Sequence, residues 1–218
     1  MPLIRYRLMQ NLLAICLALF IICFSVVFVL LFTPLYYLDL HLLSIAGQTH
    51  ISEPRIIANY NYMIGFLANP FPQAFHLPSL ASSAHGRIHF EDVKKIFNFI
   101  EWLLLLSGVA SLIGVRSKIK KKDYFFLRRA AIYLTLFTVI PLMCFSFDFN
   151  DSFIIFHEMV FSNNYWIFDP ALDPVINILP EAFFMHAALS IISLIVIGIA
   201  ALFFSYHRLM KKHFNQKN

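Results

Sequence analysis

Four long runs of apolar residues divide the chain, and polar residues are concentrated between them. The runs cover residues 9–32, 97–115, 130–147 and 182–204. Each is near the ~20 residues that an α-helix needs to cross a hydrocarbon core of about 30 Å. The pattern predicts an all-α integral membrane protein with four transmembrane helices, joined on one side by two longer segments.

The composition supports a membrane location. Hydrophobic residues make up 60% of the 218 positions and charged residues only 13%. A soluble domain of this size would not carry so few charged residues on so apolar a chain. The sequence contains neither a Gly/Ser-rich linker nor an internal repeat, so we predict a single membrane domain over residues 1–218.

The basic residues indicate which helix ends face the cytoplasm. Of the 17 Lys and Arg, two precede the first run, seven lie within 116–129, and four lie in the tail at Arg208, Lys211, Lys212 and Lys217. These residues would share one side of the membrane, which is the cytoplasmic side by the positive-inside rule. We therefore expect both termini in the cytoplasm. The net charge of +5 is explained by these juxtamembrane clusters, and we expect no nucleic-acid partner.

Two loops, 33–96 and 148–181, are predicted on the outer side. They hold 10 of the 12 acidic residues and eight of the ten prolines. In the first loop, 54–69 begins with proline and is rich in Tyr, Ile, Met and Phe, which predicts a short interfacial helix. Residues 90–97 show helical spacing and are expected to lead into the second span. In the second loop, 153–168 alternates aromatic and polar residues as interfacial segments do.

The densest polar cluster outside the predicted spans is HGRIHFED at 85–92. If this segment is helical, His85, His89 and Asp92 share one face through i,i+4 and i,i+3 spacing. Histidine can take up and return a proton near neutral pH, and a neighbouring carboxylate can fix its tautomer. This face is therefore a candidate acid/base site. The alternative is a solvated loop whose histidines cap a helix or meet lipid headgroups.

A second cluster surrounds His157, which lies among aromatic residues just beyond the third run. Partial desolvation there would lower the pKa of the imidazole and keep it a neutral base. Asn163, Asn164 and Trp166 add donors that could bind a carbonyl group or a developing oxyanion. Glu158 lies beside the histidine as a candidate for binding or orienting a substrate. The alternative is an ordinary aromatic belt at the water interface.

Two ionisable residues within the predicted spans are further candidates. Glu101 lies one turn into the second span, where an acidic side chain usually faces a bundle interior or a watery cavity. It could instead pair with a basic residue at the outer rim. His186 in the fourth span has the same functional interpretation, with an interhelical hydrogen bond as the alternative.

Metal binding is a rival interpretation of the histidines. His85 and His89 are spaced like paired ligands, and a three-histidine site could be assembled with His157. The pair His157-Glu158 begins like the zinc-protease motif His-Glu-x-x-His, but the fifth position is Phe161, so the motif fails. We expect neither a metal ion nor another cofactor.

Three segments carry a family resemblance: GRIHFEDVK at 86–94, FHEMVFSNNYWIFDP at 156–170 and LPEAFF at 179–184. Together they resemble the bacterial lipoprotein intramolecular transacylases called Lit. The length, the four predicted spans and the in/out topology agree as well, so the resemblance covers essentially the whole chain. Each motif is weak alone, and the combination is specific.

The resemblance implies an acyltransferase of the bacterial cytoplasmic membrane with an extracytoplasmic active site. Its partners would be membrane lipids and a lipoprotein substrate whose N-terminal cysteine carries a diacylglyceryl group. The enzyme would move the sn-2 acyl chain to the α-amine of the same cysteine, which gives the lyso form. The alternatives are a metal-dependent membrane hydrolase and a non-catalytic assembly or sensor protein.

The resemblance also implies catalysis by two facing histidines, one from each outer segment. His157 matches the second of them. For the first we favour His85 as the acting base, with His89 as the alternative. One histidine would be the general base and the other the general acid. The remaining candidates for oxyanion stabilisation or substrate orientation are Asp92, Glu158, Asn163, Asn164, Trp166 and Glu101.

Overall fold

Helices form the regular structure of the chain, and no strand occurs within residues 3–216. A computed structural model describes these residues, and the side chains of residue 141 and residues 144–147 lie outside the description. The tail residue Lys217 also lies outside the described residues. The helices are α1 (Leu3–Leu31), α2 (Pro34–Leu42), α3 (Ile45–Thr49), α4 (Glu53–Leu67), α5 (Ala84–Lys120), α6 (Phe125–Phe147), α7 (Phe149–Val160), a short 3-10 helix (Pro174–Ile178) and α8 (Glu181–Asn215).

Three helices among the described residues, α1, α5 and α8, are long and apolar enough to cross a membrane. Three of the four predicted apolar runs therefore lie in candidate spanning helices. The remaining run, 130–147, lies in α6, in which five side chains are outside the description. The fourth span stays a prediction, as does the side of the membrane on which each terminus lies.

Helices are present in the two segments that are predicted to lie on the outer side, with bounds that differ from those predicted. The 54–69 prediction corresponds to α4, which has a proline in its first turn. The helix leading into the second span begins at Ala84, so α5 carries the whole first polar cluster. The 153–168 segment is only partly helical, because α7 ends at Val160 and Phe161 is extended. An interfacial location of these helices stays a prediction.

The chain forms two compact units, each described by itself. The first comprises residues 3–26, 101–143 and 190–216, and the second comprises 27–100 and 144–189. A single membrane domain over the whole chain stays a prediction.

The second unit has an aromatic core. Tyr36 and Tyr60 stack with ring centroids 3.7 Å apart, and Phe183 meets both rings edge-on. The Tyr36 hydroxyl donates a hydrogen bond of 2.7 Å to the buried carbonyl of Ile178. The core thereby joins α2, α4, the 3-10 helix and the start of α8. All of the predicted site residues except Glu101 belong to this unit.

The first unit packs around small side chains, which let helix backbones approach closely. The alanines of α1 and α6 that are almost completely buried are Ala14, Ala18, Ala130 and Ala131. Asp123, in the turn between α5 and α6, accepts hydrogen bonds from Tyr6 and Gln10 of α1. It also pairs with Lys118 at 2.8 Å. These contacts fasten the turn to α1.

Candidate active site

His157 lies in the last turn of α7, and the helix fixes its tautomer. Asp148 caps the start of α7 by accepting a hydrogen bond from the backbone N–H of Asp151. The backbone carbonyl of Phe153, one turn before His157, lies 2.7 Å from Nδ1 of the imidazole. A carbonyl oxygen can only accept a hydrogen bond, so Nδ1 carries the proton and neutral His157 has its lone pair on Nε2.

Aromatic rings surround His157 and leave it 9% exposed. The ring centroids of Phe153, Trp166 and Phe161 lie 4.1, 4.8 and 5.5 Å from that of the imidazole. Burial lowers the pKa of His157 from its usual value, and it outweighs the opposing effect of the hydrogen bond to Phe153. The imidazole is therefore neutral at neutral pH, as a general base must be.

His89, in the second turn of α5, lies against His157. The two ring centroids are 6.0 Å apart, and His89 is 7% exposed. Phe161 and Phe168 meet His89 edge-on at 4.8 and 5.4 Å. Nδ1 of His89 is buried without a hydrogen-bond partner among the described residues, although buried polar groups usually have one. Imidazoles from the two long segments between the predicted spans, 33–96 and 148–181, thus share one aromatic enclosure.

His85 lies one turn before His89 on α5, and it is exposed. Its imidazole stacks on the ring of Tyr165, with centroids 4.1 Å apart and an interplanar angle of 10°. Of the two candidates for the first histidine, His89 has the ring contact with His157 within the described residues. The geometry therefore favours His89 over His85 as the partner of His157.

The carboxylate of Asp92 accepts hydrogen bonds from Lys95 and Asn163. Lys95 donates to its Oδ1 at 2.8 Å, and the side-chain amide of Asn163 donates to its Oδ2 at 3.3 Å. The side-chain oxygen of Asn163 accepts a hydrogen bond of 3.0 Å from the backbone N–H of Tyr165. Asp92 and Asn163 thus belong to a network that joins α5 to the segment after α7.

The other predicted site residues lie in different environments. Trp166 contacts the imidazole of His157 directly. Glu158 and Asn164 are exposed. Glu101 is half-buried on α5 and belongs to the first unit. Among these four residues, Trp166 is the one in ring contact with the histidine pair.

His186 forms the interhelical hydrogen bond that was the alternative to a functional role. Its Nδ1 lies 2.8 and 3.0 Å from the two carboxylate oxygens of Asp39 on α2. Asp39 is 1% exposed, and a buried carboxylate needs such a partner. Sequence reasoning missed Asp39, although a lone acidic residue within the apolar segment 34–42 was the available signal.

A second buried carboxylate that sequence reasoning missed, Asp173, fixes the start of α5. Asp173 accepts a hydrogen bond of 2.7 Å from the backbone N–H of Ser83. The Ser83 hydroxyl in turn accepts one of 2.9 Å from the N–H of Gly86. A Cβ at Gly86 would lie 2.2 Å from Oδ1 of Asp173, so this close approach requires glycine. A negative charge suits a helix N-terminus, and this contact lies one turn before His89.

The donor arrangement does not support the metal interpretation. Across the side chains that the structure describes, no group of three or more His, Cys, Asp or Glu is placed to hold a metal ion. His85 stacks on Tyr165, whereas His89 and His157 are enclosed by phenyl and indole rings. The three-histidine site is therefore not assembled within the described residues.

The fold and the site define a class: a helical membrane protein with a buried pair of histidines suited to acid/base chemistry. The family model of the lipoprotein intramolecular transacylase Lit matches residues 11–184. The chain therefore belongs to the Lit family, which confirms the resemblance found in its sequence. No curated protein gives a significant match.

Solved structures of a relative agree with this assignment. The in meso structure of the membrane integral lipoprotein intramolecular transacylase Lit from Bacillus cereus is 35% identical, with a TM-score of 0.92, over 95% of this chain and 96% of that chain. Two variants of that protein have one histidine replaced, by arginine and by alanine, and are each 34% identical. Their TM-scores are 0.87 over 96% of this chain and 94% of that chain, and 0.86 over 95% and 94%. This chain is thus an integral membrane protein.

Proposed function

We propose that this chain is a lipoprotein intramolecular transacylase. It moves the sn-2 acyl chain of a diacylglyceryl-modified N-terminal cysteine to the α-amine of that cysteine, which produces the lyso-form lipoprotein. The observation that carries this proposal is the position of His89 against His157 inside an aromatic enclosure, with ring centroids 6.0 Å apart. Two imidazoles at that distance can both reach the atoms of one ester group. Membership of the Lit family supports the same substrate.

In this proposal His157 acts as the general base. Its Nδ1–H is held by the Phe153 carbonyl, so Nε2 is the basic nitrogen that it presents. As the cysteine amine attacks the sn-2 carbonyl carbon, the C–N bond forms and Nε2 removes a proton from the nitrogen. The Phe153 carbonyl then stabilises the imidazolium, because hydrogen bonds from a charged donor are stronger.

His89 acts as the general acid. The proton that Nε2 has removed passes from the imidazolium of His157 to His89. When the tetrahedral intermediate collapses, the C–O bond to the glyceryl group breaks, and His89 gives the proton to the departing sn-2 oxygen, which leaves both imidazoles neutral again. The ammonium form of the cysteine loses its first proton to water before the attack, so ammonium and ester give amide, alcohol and one released proton, and the balance requires no ATP and no oxidant or reductant.

Positioning supplies a large part of the rate. The ester and the amine belong to one molecule, and well-oriented intramolecular reactions reach effective molarities of about 10⁵–10⁸ M. Trp166, which contacts His157, and Asn164 are the donors proposed for the oxyanion. Asn163 already donates to Asp92, so it is the weaker candidate.

The proposed active site faces the extracytoplasmic side, and both termini lie in the cytoplasm. The support is the charge pattern, because the two outer segments hold 10 of the 12 acidic residues, whereas 13 of the 17 Lys and Arg lie at the opposite helix ends. α6 is the fourth span in this arrangement. The acyl chains of the substrate would then lie in the outer leaflet.

The test of the proposed function is the chemical state of a reporter lipoprotein's N-terminus. Acyl transfer within one molecule leaves the mass of the lipopeptide unchanged, so an amine-reactive label is used before tandem mass spectrometry. After expression of this chain we expect that the N-terminus of the lipopeptide takes up no label, because its amine is acylated. The lipopeptide should give an N-acyl fragment, and its total mass should be unchanged. A fully labelled amine would refute the proposal. Loss of one acyl chain that stops on addition of a chelator would instead indicate the metal-dependent hydrolase.

His157 is expected to titrate below pH 6.5, because burial opposes formation of the imidazolium. Protonation removes the base, so its contribution to the rate should persist down to pH ~6.5 and fall only as the pH drops through the lowered pKa. NMR of protein with ¹³C-labelled histidines measures the titration, and the signal missing from His157→Asn identifies the residue. A midpoint at or above 6.5 would contradict this environment.

A further inference from the structure

Three of the aromatic rings that enclose the histidine pair belong to a segment that is not helical. This segment, residues 161–168, follows α7, and the rings of Phe161, Trp166 and Phe168 each contact one or both histidines. These three rings are called the aromatic wall. A segment without helical hydrogen bonds is held in place chiefly by its side chains and by local turns. The position of this wall therefore depends on where the segment is fastened.

Asp92 and Asn163 fasten the segment to α5. Asp92 lies three residues after His89, so the two share one face of the helix, and Lys95 pairs with its carboxylate at 2.8 Å. Asn163 stands between Phe161 and Trp166 in the sequence. It donates to Asp92 through its amide nitrogen at 3.3 Å, and a hydrogen bond to a carboxylate is stronger than a neutral one.

The same asparagine also shapes its own segment. Its side-chain oxygen accepts a hydrogen bond from the backbone N–H of Tyr165, two residues later. Such bonds of asparagine side chains stabilise turns. The ring of Tyr165 then stacks on His85 of α5. Asn163 is thus bonded both to the helix that carries His89 and to the turn that leads to Trp166.

We infer that Asp92 and Asn163 are positioning residues for acyl transfer and act as one latch that holds the aromatic wall over the histidine pair. The inference rests on the proposed function. Misplacement of reacting groups by about 1 Å can cost about a hundredfold in rate. Opening the latch is therefore expected to lower kcat more than it raises KM.

A direct role of Asp92 in fixing the tautomer of His89 is the competing explanation. Both carboxylate oxygens of Asp92 are bonded, one to Lys95 and the other to Asn163. Nδ1 of His89, by contrast, has no hydrogen-bond partner among the described residues. The carboxylate is therefore bonded within the latch, and no hydrogen bond joins it to Nδ1 of His89 in the described residues.

The experiment uses Trp166 as a reporter of the wall. The chain has two tryptophans, so Trp102→Phe, at an exposed position, leaves Trp166 as the single emitter. Asp92→Ala, Asn163→Ala and the double variant are compared in this background. Glu91→Ala, an exposed acidic residue beside Asp92, is the matched control. The full-length protein is assayed for acyl transfer, Trp166 emission, acrylamide quenching and thermal unfolding.

Each single variant is expected to lower kcat about 10- to 100-fold with less than a threefold change in KM. The double variant should be no slower than the more impaired single variant, because both changes break one link. Trp166 emission should shift to longer wavelength and become more accessible to acrylamide in all three. The Glu91→Ala control should match the parent protein in every measurement.

Three results would overturn the latch: losses in kcat that multiply in the double variant, Trp166 emission equal to that of the control, or losses that follow the fraction of unfolded protein. The emission measurement does not depend on acyl transfer. If the parent protein transfers no acyl chain, the proposed function fails, while a shifted Trp166 emission in the variants still supports the physical link and an unshifted one refutes it.

Discussion

Replacing His157 with asparagine is expected to lower the rate of acyl transfer by about 10²–10⁴-fold, the contribution typical of a positioned general base. Asparagine keeps a side-chain N–H for the Phe153 carbonyl, which His157 binds at 2.7 Å, but it has no titratable nitrogen. The variant should therefore fold with α7 intact and lack the base. The rate is measured with purified protein as the appearance of blocked N-terminal amine in a lipopeptide.

The matched control for this substitution is His76→Asn. His76 is exposed in the segment between α4 and α5, and its backbone N–H donates to Tyr62. Because its imidazole has no ring contact with His89 or His157 in the described residues, the His76→Asn control should transfer acyl chains at the parent rate. If His157→Asn also kept that rate, general-base catalysis by His157 would be refuted.

The helical framework follows from the pattern of apolar residues along the chain. A helix rises 1.5 Å per residue, so an apolar run of about 20 residues predicts a span, and α1, α5 and α8 contain such runs. The residue at which α5 begins could not be predicted in this way. Ser83 and the carboxylate of Asp173, 90 positions away, cap this end, and hydropathy carries no information about a partner at that separation.

The residue types of the candidate site could be read from the sequence, but the contacts between them could not. His85 and His89 share one face of α5, so helical spacing alone gives them equal access to a partner. The choice is made by tertiary packing, in which Tyr165 stacks on His85 and His157 lies against His89. The same limit applies wherever buried polar groups bond across distant parts of the chain, since spacing rules describe only near neighbours.

Substitutions of His89 and His85, one turn apart on α5, are expected to have very different effects on the rate of acyl transfer. His89→Asn should lower the rate by about 10²–10⁴-fold, because the general acid is lost. His85→Phe should stay within about tenfold of the parent. Phenylalanine retains the stacking on Tyr165, and an aromatic pair contributes about 0.5–1.5 kcal/mol, which corresponds to roughly tenfold at most. Both rates are measured in the lipopeptide assay.

The opposite result, an inactive His85→Phe and an active His89→Asn, would give the role to His85, the candidate favoured with the family resemblance. His85 would then have to leave Tyr165 and reach His157 once substrate binds. A double variant separates these cases further. Residues that act as a unit show strongly non-additive losses, so His89→Asn combined with His157→Asn should be no slower than the slower single variant, whereas an independent His89 would make the losses multiply.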